Sequence, residues 1–150
     1  MMKSTLLKTL VAVAMATLGT FTLHAGEGWS DSFPDSLAKA KTEKKLLFAE
    51  FTGSDWCPPC KKQAAEVFSQ QEFKDYAAKK LVLVELDYPR SKPLTDAVKA
   101  QNQELKTKYA IKGYPTVIVF DGEGKELARW VGYGGGGPAA LIARIEALPK

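Results

Sequence analysis

The sequence predicts an α/β domain built on a central mixed β-sheet with helices on both faces. Three observations carry this reading. Leu46–Thr52 and Leu81–Leu86 are near-continuous apolar runs, the pattern of strands buried on both sides. Helical patterns separate these strands, so the connections are crossovers and the strands run parallel. Asp121-Gly122-Glu123-Gly124 is a tight turn signal between two further strand-like runs, which adds an antiparallel hairpin. A length of 150 residues, 45% hydrophobic and 25% charged, suits one soluble domain with a sizeable core.

The first 25 residues read differently from the rest. Lys3 and Lys8 give a positive start, and Leu10–Leu23 is apolar and uncharged. Leu23-His24-Ala25 then offers a small residue before Gly26. Residues 1–25 are therefore expected to be a secretory signal peptide cleaved near Ala25, leaving a domain over 26–150. The other reading, an uncleaved anchor, is disfavoured because the apolar stretch falls short of the ~20 residues that span a bilayer. Export makes the protein periplasmic or secreted.

The elements follow in order. Asp31 or Ser32 can cap a helix running to about Thr42, with Phe33, Leu37 and Ala40 on one side. Leu46–Thr52 is a strand, interrupted only by Glu50, and Thr52–Asp55 is a loop. Pro59 fits the first turn of a helix, where a missing N–H costs nothing. Ala64, Ala65, Val67 and Phe68 form its inward side. Ser69-Gln70-Gln71-Glu72 has the form of a capping box and starts a second helical segment to about Lys79. Leu81–Leu86 is a strand with one acid, Glu85, inside it. Asp87–Pro93 is a loop punctuated by Pro89 and Pro93. Leu94–Tyr109 is helical, with Leu94, Ala97, Val98, Leu105 and Tyr109 near 3.6 spacing, the pattern of one apolar face. Thr116–Phe120 and Glu126–Val131 are strands, Gly132–Gly137 is a glycine-rich loop, and Pro138 opens a last helix with Leu141, Ile142, Ile145 and Leu148 inward.

Charge excludes little. The net charge of +4 falls to +2 without Lys3 and Lys8. The basic residues are scattered among acidic ones, with no basic stripe and no nucleic-acid motif, so nucleic acid is not an expected partner. The single histidine, His24, leaves with the signal peptide, so zinc lacks a ligand set, and Lys61 after Cys60 breaks a c-type haem motif. The glycine run has no phosphate-binding context.

The chemistry sits in Trp56-Cys57-Pro58-Pro59-Cys60-Lys61, which contains both cysteines of the chain. In an oxidising compartment the pair can be a structural staple or a redox couple. A staple closing so short a loop restricts the unfolded chain little, which favours the redox couple. A C-x-x-C where a strand meets a helix gives its first sulfur the unpaired amides and dipole of the helix start. With Gly113-Tyr114-Pro115-Thr116 before a later strand, the chain resembles the thioredoxin family over about residues 30–148. Phe51–Cys57 is further similar to exported thioredoxin-like proteins of thiol–disulfide interchange systems.

That resemblance implies a thioredoxin-like fold and a thiol–disulfide oxidoreductase with no cofactor beyond its Cys57–Cys60 disulfide. Cys57 becomes the exposed nucleophile and Cys60 the more buried resolving thiol. Trp56 shields the site and offers apolar surface to a client beside Pro58 and Pro59; simple packing is its alternative role. Pro115 matches the family's cis-proline and sets the Tyr114 backbone beside the sulfurs, where an extended client segment pairs with it. Glu50 matches the family's buried acid, able to exchange a proton with Cys60, the alternative being a solvent-facing strand end. Thioredoxin carries a lysine near the position of Glu85. Here Glu85 either joins Glu50 as a like-charge pair that modulates the site or lies on the other face in a salt bridge.

Pro59 before the second cysteine is the thioredoxin-like choice, where the strong periplasmic oxidase carries a histidine. The expected activity is therefore reduction of protein disulfides, with protein disulfide and thiol clients and a membrane-embedded electron donor as partners. A disulfide oxidase or isomerase is the alternative within redox chemistry, and a non-catalytic binding or chaperone module the alternative outside it. No dimerisation segment is visible, and a monomer is expected.

Overall fold

The computed structural model describes residues 26–149; the expected signal peptide lies outside the described residues. The elements in chain order are β1 (Trp29–Ser30), α1 (Phe33–Glu43), β2 (Leu46–Thr52), α2 (Pro58–Gln63), a π-helical turn (Ala64–Phe68), α3 (Gln71–Lys80), β3 (Leu81–Asp87), α4 (Asp96–Lys108), β4 (Thr116–Phe120), β5 (Glu126–Val131) and α5 (Gly137–Glu146). The sheet order is β1-β3-β2-β4-β5. β1, β3 and β2 are parallel, whereas β4 runs antiparallel to both β2 and β5. The sheet is mixed, as the alternation of strand and helix patterns predicts.

The apolar strands β2, β3 and β4 occupy the middle of the sheet because both of their faces are covered. One face carries Leu47, Phe51, Val84, Leu86 and Phe120 against Phe33 and Ala40 of α1 and Leu105 of α4. The other carries Phe48, Leu83 and Val119 against Val67, Phe68, Phe73 and Leu141. Phe48 is fully buried and meets Trp29, Phe68 and Phe73 edge-on at centroid distances of 5.9–6.0 Å. Burying such a ring stabilises the fold by about 1.5–3 kcal/mol.

Local signals explain most boundaries. The Ser32 side chain accepts from Asp35 N and caps α1, and the Thr95 side chain accepts from Val98 N and caps α4. The hairpin between β4 and β5 closes on Asp121, whose Oδ1 accepts from the amides of Glu123 and Lys125, both at 2.9 Å. Gly124 takes φ +81° there, a conformation open to glycine at little cost.

Four expectations need correction. β1 was not expected: two residues are too few to show a period, and the strand exists because it pairs with Leu83 and Val84 of β3. Ala64 and Ala65 are exposed, not inward. They fall in the π-helical turn, closed by Ser69 N to Ala64 O at 2.9 Å, and the wider turn rotates them outward while Gln63, Val67 and Phe68 stay buried. Ser69 forms no capping box; its hydroxyl donates to Ala65 O, and Gln70 is the N-cap of α3 without a side-chain bond. Ala97 is exposed, and the buried residues of α4 are Asn102 and Leu105. Asn102 fills an apolar position because its Nδ2 donates to Asp87 O at 2.9 Å, tying α4 to the end of β3.

Candidate active site

β2 delivers the chain to the site and a tight turn reverses it. Cys57 N donates to Gly53 O at 2.9 Å, and Cys57 is the N-cap of α2 in extended conformation. Cys57 and Cys60 form a disulfide with Cα atoms 5.3 Å apart. Pro58 and Pro59 fill the first two helical positions and are exposed. Neither has an N–H. Cys60 therefore supplies the only amide among the first three helical positions, and Lys61 N is occupied by Cys57 O at 3.1 Å. A sulfur at Cys57 meets fewer free amides than an ordinary helix start presents.

The expectation that Cys57 is the exposed member of the pair does not hold in the disulfide form. Cys57 is 3% exposed and Cys60 2%. Bonded to each other, the two sulfurs are buried alike.

Beneath Cys60 lies a cleft of about 570 Å³, lined by Glu50, Glu85, Thr52, Trp29 and Phe68 among others. A larger cleft of about 890 Å³ runs between α1, α3 and β1 and does not include either cysteine. Glu50 is buried, 3% exposed, and desolvation raises its carboxyl well above the usual range. The neighbouring charges of Glu85 and then Asp87 push in the same direction, and Thr52 opposes them. Glu50 and Glu85 are register partners across the parallel β2–β3 pair, so they project from the same face about 4.8 Å apart. Of the two placements open to Glu85, the sheet register selects the one beside Glu50. Burial, with help from Asp87 and Asp31 and opposed by Lys92, pushes the Glu85 carboxyl up to about 7. Glu85 is the less buried of the two acids, and its charge adds to the burial that holds the Glu50 proton.

A second cluster, absent from the sequence reading, fixes the loops around the turn. Asp87, at the end of β3, is buried; its carboxylate accepts from Ser54 N at 2.9 Å and from the Ser54 hydroxyl, and Lys92 Nζ lies 3.3 Å away. Asp55 accepts from the backbone amides of Arg90, Ser91 and Lys92, which hold its carboxyl below the usual range. The sequence signal was the acid pair Asp55 and Asp87 flanking two loops, but nothing local tells which amides they meet.

Trp56 is half-buried and tied to two other segments of the chain. Its Nε1 donates to Tyr88 O at 2.8 Å, and its ring meets Tyr114 edge-on at 5.8 Å. Tyr114 in turn lies 5.2 Å from Tyr88. The Tyr114–Pro115 bond is cis, and Pro115 O accepts from Gly132 N at 2.7 Å. Thus Tyr114, which precedes the cis-proline, meets Trp56, which precedes Cys57, although the two are distant in sequence. Gly53 permits this: a Cβ there would sit 2.5 Å from the Trp56 ring.

A disulfide at the start of a helix, seated over buried acids at the end of a central strand, defines a protein of dithiol–disulfide exchange. A family model described as a thioredoxin-like domain matches residues 33–148. The chain is 36% identical to the disulfide bond reductase DsbH of Chlamydia pneumoniae over 120 residues, covering 80% of this chain and 72% of that protein. It is 32% identical to the thioredoxin-related protein DsbJ of the same organism over 131 residues, covering 83% of this chain and 38% of that protein. A solved structure described as a DsbH oxidoreductase, 32% identical, superposes with a TM-score of 0.73 over 97% of this chain and 93% of that one. The chain belongs to the thioredoxin-like family, as a thiol–disulfide oxidoreductase.

Proposed function

We propose that this protein is an exported reductase of protein disulfides, released near Ala25 and working through Cys57 and Cys60. Cys57 thiolate attacks one sulfur of a client disulfide; the client bond breaks, a mixed disulfide forms, and the second client sulfur leaves as a thiol after taking a proton. Cys60 gives up its proton and attacks the Cys57 sulfur. The Cys57–Cys60 disulfide re-forms and the client leaves fully reduced, having gained two electrons and two protons. Glu50 is the acceptor of the Cys60 proton. Its raised carboxyl lies closer to the thiol range than a free glutamate does, which narrows the free-energy gap of that transfer. Glu85 modulates it through charge. Trp56, Pro58, Pro59 and Tyr114 form the client-facing surface, and the buried cis-proline Pro115 sets the Tyr114 backbone that an extended client segment pairs with.

The observation that carries the direction is the proline pair at the helix start. A strongly oxidising disulfide needs a thiolate at the first cysteine that is much more stable than the free one. Here two of the first three amides are missing, and no imidazole stands between the cysteines. Cys57 thiolate is left with modest stabilisation, so the disulfide is the favoured product and the dithiol a good reductant. Such a dithiol in an oxidising compartment must be recharged from elsewhere, which implies a membrane-embedded electron donor.

The equilibrium reduction potential of the Cys57–Cys60 couple tests this. A value near thioredoxin's, about −270 mV, supports a reductase; a value near about −120 mV makes the protein an oxidant and overturns the proposal. Reduction of a protein disulfide should also vanish in Cys57→Ser, and full retention of activity would indicate a binding module.

A further inference from the structure

Three aromatic rings meet in a row that begins at Trp56, the residue before Cys57, and two cations sit on them. Arg90 lies 4.2 Å over the ring of Trp56, the residue that precedes Cys57. Lys106 of α4 lies 5.5 Å over Tyr88 and 5.6 Å over Tyr114, the residue that precedes the cis-proline. The three rings touch in the order Trp56, Tyr114, Tyr88. Stacking on a ring face orients a cation without neutralising it. The Arg90 guanidinium keeps its charge over the indole, and a guanidinium's fork of N–H groups matches a carboxylate.

Neither cation is spoken for. Among the described residues, no carboxylate lies within ion-pair distance of Arg90 or Lys106. Two acids of the neighbouring loops are engaged otherwise, Asp87 by Lys92 and Ser54, and Asp55 by the backbone amides of residues 90–92. Those same amide bonds anchor the Arg90 backbone through Asp55, at 3.0 and 3.1 Å. The charge is therefore preorganised, and a partner spends less ordering entropy to use it.

We propose that this cation-capped aromatic surface selects clients in which the attacked cysteine is flanked by acidic residues. The inference rests on the disulfide-exchange reading above and names its substrate class. The client's own cysteine must reach Cys57, and an extended chain advances about 3.3 Å per residue. Arg90 sits on the ring of the residue that precedes Cys57 and Lys106 on the ring of the residue that precedes the cis-proline, so a carboxylate close in sequence to the client cysteine is the group that would meet them. Charges at the rim of an encounter act mainly on the rate of association, and they are screened by salt.

The test uses the full-length protein, pre-reduced and in excess, against two disulfide-linked peptides. The peptides are identical except for glutamates or lysines flanking the cysteine. Single-turnover rates are read at low and at high salt. The acidic peptide is expected to react about three- to tenfold faster at low salt, the gap closing at high salt. The gap should shrink in Arg90→Gln and in Lys106→Gln and reverse in Arg90→Glu. Equal rates, or faster reaction of the basic peptide, overturn the selection and leave the reductase standing. Failure to reduce either peptide overturns the reductase reading itself.

Discussion

Replacing Glu85 with glutamine should make this protein more resistant to denaturant above neutral pH. The folded state holds the Glu85 carboxyl at about 7, against 4.5 for the unperturbed group. Between those values the folded chain keeps a proton that the unfolded chain has already lost. Stability therefore falls as pH rises from about 4.5 to about 7, and the loss is complete above that. The gap, at 1.36 kcal/mol per pH unit, corresponds to about 3 kcal/mol. Glu85 is only partly buried, and solvent screening reduces the effect to about 1–2 kcal/mol. Glutamine cannot ionise and escapes this penalty. It also relieves Glu50, which then loses its proton without a charged neighbour across the strand pair. Urea unfolding of the oxidised protein at about pH 5 and about pH 8 measures the effect. Wild type should lose about 1–2 kcal/mol more than Glu85→Gln between the two conditions. Parallel stability curves would refute the reasoning, because they would mean that Glu85 titrates alike in both states and does not share the cleft with Glu50.

Two further outcomes follow from the site. Glu50→Gln should slow the second step, decay of the mixed disulfide, by about 10²-fold, the lower range for loss of a positioned proton acceptor, while attack by Cys57 stays near normal. Quenched-flow trapping of the mixed disulfide separates the steps, and unchanged decay removes Glu50 from the mechanism. Gly53→Ala should cost about 1–3 kcal/mol, since its Cβ would lie 2.5–2.7 Å from the Trp56 ring and push it off Tyr88 O. The denaturation midpoint reads the loss, and an unshifted midpoint would show that the ring is not held where the structure places it.

Much of this protein is legible in one dimension. The buried strands β2, β3 and β4 announce themselves as apolar runs, and the hairpin announces itself through Asp121–Gly124, because strand burial and turn geometry are local properties of the chain. The Cys57–Cys60 pair is equally plain, since the separation that lets two sulfurs bond is a separation in sequence. Cys60 and Glu50 were paired by family resemblance alone, and the tertiary structure puts them on one cleft.

What the chain could not state by itself is everything that depends on register and on long-range approach. Glu85 had two possible faces; pairing with Glu50 across β2–β3 chose one, and a slip of a single residue would have chosen the other. The outward turn of Ala64 and Ala65 goes with the π-helical turn that Ser69 N to Ala64 O closes, a shift in helical phase that no average periodicity contains. Asn102 looks polar and is buried, because its partner, Asp87 O, is supplied by another strand. Trp56, Arg90, Tyr114 and Lys106 look unrelated along the chain and yet touch one another in a row that begins at the residue before Cys57. Sequence determines which segments prefer to be strand, helix or turn, since those preferences arise within a few residues. Only the packed sheet decides which side chains become neighbours, and charge, desolvation and reactivity at this site depend on those neighbours.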